Sequence, residues 1–203
     1  MKKLESSLMN MVLVLTGVAV IMGGILAYVN HLTEEPIAKQ QKKILADGIK
    51  TVMQAEEINV SKTDTLRQTN AKGKEEVFII YNNEKGAAVE STTDGFGGKL
   101  RVLVGFNPEG QILGYTLLAH TETPGLGAKA DKWFQKGEKG NIVGMTPSNP
   151  LVVKKYGGQV EAITASTITS RAFLKAVNNA YSAYMVKPVD AQSGATKQVN
   201  KVK

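Results

Sequence analysis

The 203-residue chain predicts an α+β domain, an antiparallel-rich sheet with flanking helices, behind a single N-terminal transmembrane helix. Three observations carry that expectation. Residues 8–29 hold no charge and are dominated by Val, Leu, Ile, Met, Ala and Gly. Short β-rich runs separated by turn residues fill 77–119, and an amphipathic helical pattern returns over 170–185.

Taken in order, residues 1–30 form the anchor. About 20 apolar residues in a helix cross the hydrocarbon core, and a helix is the single-segment structure that satisfies its own backbone there. Lys2 and Lys3 would also suit a secretion signal. The apolar stretch is longer than a signal core, however, and no small-x-small cleavage site stands near Ala27, so a retained anchor is expected. With Lys2 and Lys3 before the span and Lys39, Lys42 and Lys43 after it, the positive-inside rule does not decide the orientation. Residues 31–75 comprise an amphipathic helix and a connecting segment. Ile37, Ile44, Leu45, Ile49, Val52 and Met53 recur at near-helical spacing over 34–53, and Pro36 fits the first turn of a helix that starts there. The polar stretch 59–74 reads as connection.

Residues 76–186 carry the domain. Runs at 77–81, 87–90, 100–106 and 112–119 predict strands. Asn107-Pro108-Glu109-Gly110 predicts a hairpin turn between the last two, and Asp94-Gly95-Phe96-Gly97-Gly98 another tight turn. A strand at 160–163 and helices at 128–135 and 170–185 complete the pattern, with Trp133 as a core anchor. Residues 187–203, with Pro188, Lys197, Lys201 and Lys203 and little apolar content, predict a flexible basic tail.

Composition excludes several chemistries. A net charge of +7 invites nucleic acid, but the lysines are scattered among acids, so no nucleic-acid partner is expected and the lipid bilayer is the expected neighbour. With no cysteine, thiolate metal sites and cysteine-ligated clusters are excluded. His31 and His120, far apart in sequence, give little support to a histidine metal site or a Ser-His-Asp hydrolase. The glycines at 95, 97 and 98 lack the third glycine, the following helix and the acidic partner of a dinucleotide fingerprint.

The most informative feature is the run Ile163-Thr164-Ala165-Ser166-Thr167-Ile168-Thr169-Ser170-Arg171, five hydroxyls in seven positions before a helical pattern. Hydroxyls at a helix N-terminus can cap it. Free N–H groups and the positive dipole end also make such a turn a seat for a phosphate. The residues alone leave both open.

Residues Ala162 to Thr169 resemble the flavinylation motif of the Rnf-complex G subunit and its sodium-pumping relative, the Nqr C subunit. In that family the fourth residue of a Ser/Thr-Gly-Ala-Thr core carries FMN through its phosphate. The resemblance implies Thr167 as the acceptor, with Thr164, Ala165, Ser166, Ile168 and Thr169 around it. Ala165 stands where the family has Gly and Ser166 where it has Ala; both are small, and Ala165 suits the turn only if its φ is negative. Ser193-Gly194-Ala195-Thr196 spells the core literally, but it sits in the tail with no strand before it and no helix after it, so Thr167 is preferred over Thr196. The stretch Glu122-Thr123-Pro124-Gly125-Leu126-Gly127 resembles the loop that lies beside the flavin in this family, and Trp133 to Gly137 resembles its continuation. Gly95, Gly97 and Gly98 resemble the family's glycine-rich turn.

This resemblance implies one FMN-binding domain on the extracytoplasmic (periplasmic) side of the cytoplasmic, or inner, membrane, held by a single pass. It implies an electron-transfer subunit of a membrane-bound ferredoxin:NAD oxidoreductase that translocates ions, non-catalytic alone, working with the other subunits of the complex. Threonine is a weak nucleophile without a base, so a separate magnesium-dependent flavin transferase using FAD is implied for maturation. The C subunit of a sodium-translocating NADH:quinone reductase shares the flavin chemistry, though its usual chain is longer. A non-redox, membrane-anchored module binding a phosphorylated ligand is the reading from another class.

Overall fold

In the computed structural model, residues 8–55, 60–69 and 75–193 are described, with side chains up to 185. The chain divides into two compact units, Met1–Ile44 and Leu45–Lys203.

In the first unit, α1 (Leu8–Met53) begins with the uncharged segment, its large apolar side chains exposed. Residues 8–29 at about 1.5 Å rise per residue reach roughly 33 Å. This helix is long and apolar enough to cross a membrane. The expected new start at Pro36 is not seen: Pro36 lies inside α1. Its missing N–H removes one rung of the ladder. One turn earlier, the Thr33 hydroxyl donates to the Val29 carbonyl at 2.9 Å and to that of Asn30 at 3.2 Å.

In the second unit, β1 (Lys62–Thr69), β2 (Glu75–Asn83), β3 (Gly86–Asp94), β4 (Lys99–Phe106) and β5 (Ile112–Ala119) form one antiparallel meander in sequence order. The last of these has the expected bounds. β1 corrects the reading of 59–74 as connection; it is an edge strand whose inward positions are Asp64, Leu66 and Gln68, so only Leu66 signals burial. The hairpin at 107–110 closes as expected, with the Asn107 side chain accepting from the Gln111 N–H at 2.7 Å and Gly110 at φ 81°.

Both faces of the sheet are covered. On one, Phe78, Val89, Leu100, Val102 and Val104 share a core with the apolar face of α3 (Thr167–Ser193). Phe173 of α3 stacks on Phe134 with centroids 4.3 Å apart. On the other face Ile49, Val52 and Met53, the end of α1, pack against Ala88 and Leu103. Gly105 and Gly114 are paired across β4 and β5, and a Cβ at Gly105 would strike the Val52 carbonyl. Backbone lies directly on backbone there.

Between β5 and α3 the chain has little regular structure. A 3-10 turn, Gly127–Lys129, runs into the short α2 (Ala130–Trp133), a broken version of the helix expected over 128–135. Phe134, not Trp133, is the fully buried anchor; Trp133 is half-buried at the edge of the core and donates from its indole to the Glu161 carbonyl at 2.9 Å. The expected strand at 160–163 reduces to one parallel bridge, Val153 to Val160. The helix expected over 170–185 is longer, its backbone regular from Thr167 to Ser193. Thr196 lies outside the described residues.

Candidate functional site

The hydroxyl run folds as a turn feeding α3. Ile163 is buried, and its carbonyl accepts the Ser166 N–H at 3.0 Å, closing the turn over Thr164 and Ala165. Ala165 adopts φ 61°. The condition that its φ be negative is therefore not met: this position needs the left-handed conformation that glycine takes freely and alanine takes at roughly 1–2 kcal/mol.

The five hydroxyls separate by environment. Ser170 is buried; its Oγ accepts from the Ile163 N–H and donates to the Ser166 carbonyl, both at 3.0 Å. Thr169 is buried and donates to Glu122 Oε2 at 2.6 Å. Ser166 is buried and Thr164 exposed in the turn. Thr167, the first residue of α3, is half-exposed, and its hydroxyl has no hydrogen bond among the described residues. Two residues on a helix are about 200° apart at 3.6 residues per turn, so Thr169 facing the interior turns Thr167 outward.

Glu122 is the residue that gathers the site. It is only 5% exposed. Its Oε1 accepts the N–H groups of Phe96 at 2.8 Å and Gly97 at 3.2 Å, while its Oε2 takes the Thr169 hydroxyl. The turn it grips is closed by Gly95 N–H to the Gly98 carbonyl at 2.7 Å, and the Thr121 hydroxyl donates to the Gly97 carbonyl at 3.0 Å. A Cβ at Gly95 or at Gly127 would collide with the Glu122 carboxylate. The glycine-rich turn, the loop after β5 and the N-terminus of α3 thus meet at one buried carboxylate.

Direct contact therefore joins Glu122, Gly127 and Thr169 of the expected site residues. Thr123, Pro124, Gly125 and Leu126 form the exposed crest of the loop, Gly125 at φ 76° with open space around it. Thr164, Ala165, Ser166, Thr167 and Ile168 make the turn and first residues of α3. Phe96 was not anticipated; it is 68% exposed, and Ile168 at 56% and Leu126 at 42% add apolar surface on the other two segments that meet at Glu122. A cavity of about 420 Å³ lined by Trp133, Lys139, Lys154, Glu161 and Thr164 was also missed. Lys154 pairs with Glu161 at 2.9 Å across it. Beneath the loop, burial pushes the Tyr115 hydroxyl far above its ordinary pKa; it donates to the Ala130 carbonyl at 2.7 Å and accepts from the Phe134 N–H at 3.1 Å.

An outward hydroxyl at a helix N-terminus, with exposed apolar side chains on the three segments that meet at Glu122, suits a ligand with a phosphate at one end and a flat ring at the other. Residues 95–182, from the glycine-rich turn into α3, match the FMN-binding domain family. Residues 1–52 match the RnfG N-terminal region family. The G subunit of the ion-translocating oxidoreductase complex from Shewanella baltica (strain OS223) is 33% identical over 176 residues, 80% of this chain and 82% of that protein. Its counterpart in Yersinia pestis is 36% identical over 171 residues, covering 77% and 80%. The counterpart in Aliivibrio fischeri (strain ATCC 700601 / ES114) is 32% identical over 175 residues, covering 80% and 83%. The chain belongs to the G-subunit family of ion-translocating oxidoreductase complexes, as its motifs suggested.

Proposed function

We propose that this protein is the flavin-carrying electron-transfer subunit of an Rnf-type complex that couples electron flow between ferredoxin and NAD to ion movement, with FMN bound covalently through its phosphate to Thr167. The observation that carries the assignment is the state of the five hydroxyls: three are buried, one sits in the preceding turn, and Thr167 alone opens α3 with its side chain half-exposed and free among the described residues.

A flavin bound there supplies reversible electron uptake. The residues of this chain hold it. Thr167 tethers the phosphate at the positive end of α3. The exposed crest 123–126 offers backbone to the ring, with Phe96, Leu126 and Ile168 as apolar neighbours. Attachment forms a bond from Thr167 Oγ to phosphorus and breaks the pyrophosphate of FAD, releasing AMP. The proton leaves to a base of the transferase, since Glu122 is already engaged by three donors. Magnesium on the transferase supports the displacement.

The exposed uncharged start of α1 supports a single-pass membrane anchor. Its length and the lack of a small-x-small site near Ala27 support its retention, and the extracytoplasmic side of the inner membrane follows the family resemblance. The other subunits of the complex are its partners in electron transfer, and nucleic acid is not. The match of residues 1–52 favours this reading over the quinone-reducing relative, and the FMN-binding match favours it over a non-redox module. Intact mass of the full chain expressed with and without the transferase tests it: a gain of FMN less one water is expected only with the enzyme. Flavin fluorescence that survives denaturation should disappear in Thr167→Val and persist in Thr196→Val. The reverse result moves the acceptor to the tail.

A further inference from the structure

We propose that Glu122 is a positioning residue for flavin attachment, acting on Thr167 through Thr169; this rests on the reading of Thr167 as the acceptor. Glu122 does not need to touch the flavin to matter. Its carboxylate accepts one side-chain and two backbone hydrogen bonds, all from different residues, and those donors belong to two separate segments. A buried carboxylate with three donors is expensive to leave unsatisfied, so the three groups hold one another in register.

The consequence for α3 is rotational. Thr169 and Ser170 are adjacent, and both are tied inward, Thr169 to Glu122 and Ser170 to Ile163. With two successive residues pinned, the first turn cannot rotate by one residue, about 100°. Thr167 is held facing out, and Thr169 is withdrawn as a rival nucleophile because its hydroxyl is buried and already donating. Glu122 therefore selects which hydroxyl is presented. Glycine at 95 and 127 follows from the same arrangement, since a side chain at either position would displace the carboxylate.

The test is steady-state flavin transfer to the full chain by purified transferase, with the chain as the varied substrate and FAD as donor. Glu122→Ala and Thr169→Val should lower kcat about tenfold or more with KM for the chain little changed, because the acceptor is presented less often in line. Thr169→Ser restores the donor and Glu122→Gln still accepts from both N–H groups, so both should stay near wild type. Mapping the flavinylated peptide of Glu122→Ala should find some flavin on Ser166 or Thr169. Near-UV circular dichroism reports folding, and if Glu122→Ala does not fold, the Thr169→Val and Thr169→Ser pair decides. Wild-type kcat in Thr169→Val, or a loss carried by KM alone, overturns the positioning role. Thr167→Val is run in parallel: flavin retained there overturns the acceptor assignment instead.

Discussion

The Glu122 carboxylate and the Thr169 hydroxyl, 47 residues apart in sequence, meet at 2.6 Å in the interior. Thr169→Val keeps the shape and removes the donor, leaving one carboxylate oxygen buried without its partner. The expected loss is about 1–3 kcal/mol. At about 2–4 °C per kcal/mol for a domain of this size, thermal unfolding of the solubilised chain should register it, and Thr169→Ser should regain most of it.

Ala165→Gly should act in the opposite direction. The φ of 61° strains any residue with a Cβ, and relief of that strain exceeds the entropy that glycine adds to the unfolded chain. A gain of about 0.5–1 kcal/mol in urea unfolding is expected, with flavin attachment retained. A loss of stability would mean that the Ala165 methyl makes packing contacts worth more than its strain.

Stability should fall above pH 10. Burial raises the Tyr115 pKa well beyond its ordinary value of 10.0, and burial also raises Tyr81 and Tyr184. Below pH 10 each is protonated whether folded or not, so the stabilisation is complete. As pH rises past 10 the unfolded chain releases protons that the folded one keeps, and stability declines by up to about 1.4 kcal/mol per pH unit for each group. Tyr115→Phe should flatten that decline while costing about 1–3 kcal/mol at neutral pH, because the Ala130 carbonyl and Phe134 N–H lose their partner. Equilibrium unfolding across pH 8–11 measures both.

Gly125→Val separates the loop from the tether. Gly125 has open space around it but a φ of 76°, so valine would bend the crest without disturbing the core. Covalent occupancy should survive, since Thr167 is untouched, whereas the flavin's absorption and midpoint potential should shift. Spectroelectrochemical titration reads both, and an unchanged spectrum and potential would separate the crest from the ring.

The strands of the central hairpin and its turn were legible because alternation and Asn-Pro-Glu-Gly are local signals that the final structure keeps. The hydroxyl run was legible as a helix start for the same reason. Three features escaped. β1 turns one apolar residue, Leu66, inward and only half-buries it, so its strand has no apolar alternation to read. Pro36 looked like a beginning because a proline says where an N–H is missing, not whether the helix continues past it. Glu122 was read as part of a loop beside the flavin, but its side chain works by joining segments 26 and 47 residues away, and no local pattern encodes that.

The paired glycines 105 and 114, with the Val52 backbone laid across them, bear on how the protein can be divided. Usually an anchor is a removable leader, and a soluble fragment begins after it. Here residues 45–53 roof one face of the sheet, so a fragment beginning at 54 would leave Ala88, Leu103 and a strip of bare backbone in water. Such a face invites another sheet. The natural cut falls at or before Leu45, and the last turns of the helix cannot be exchanged for unrelated sequence without refitting the sheet beneath them.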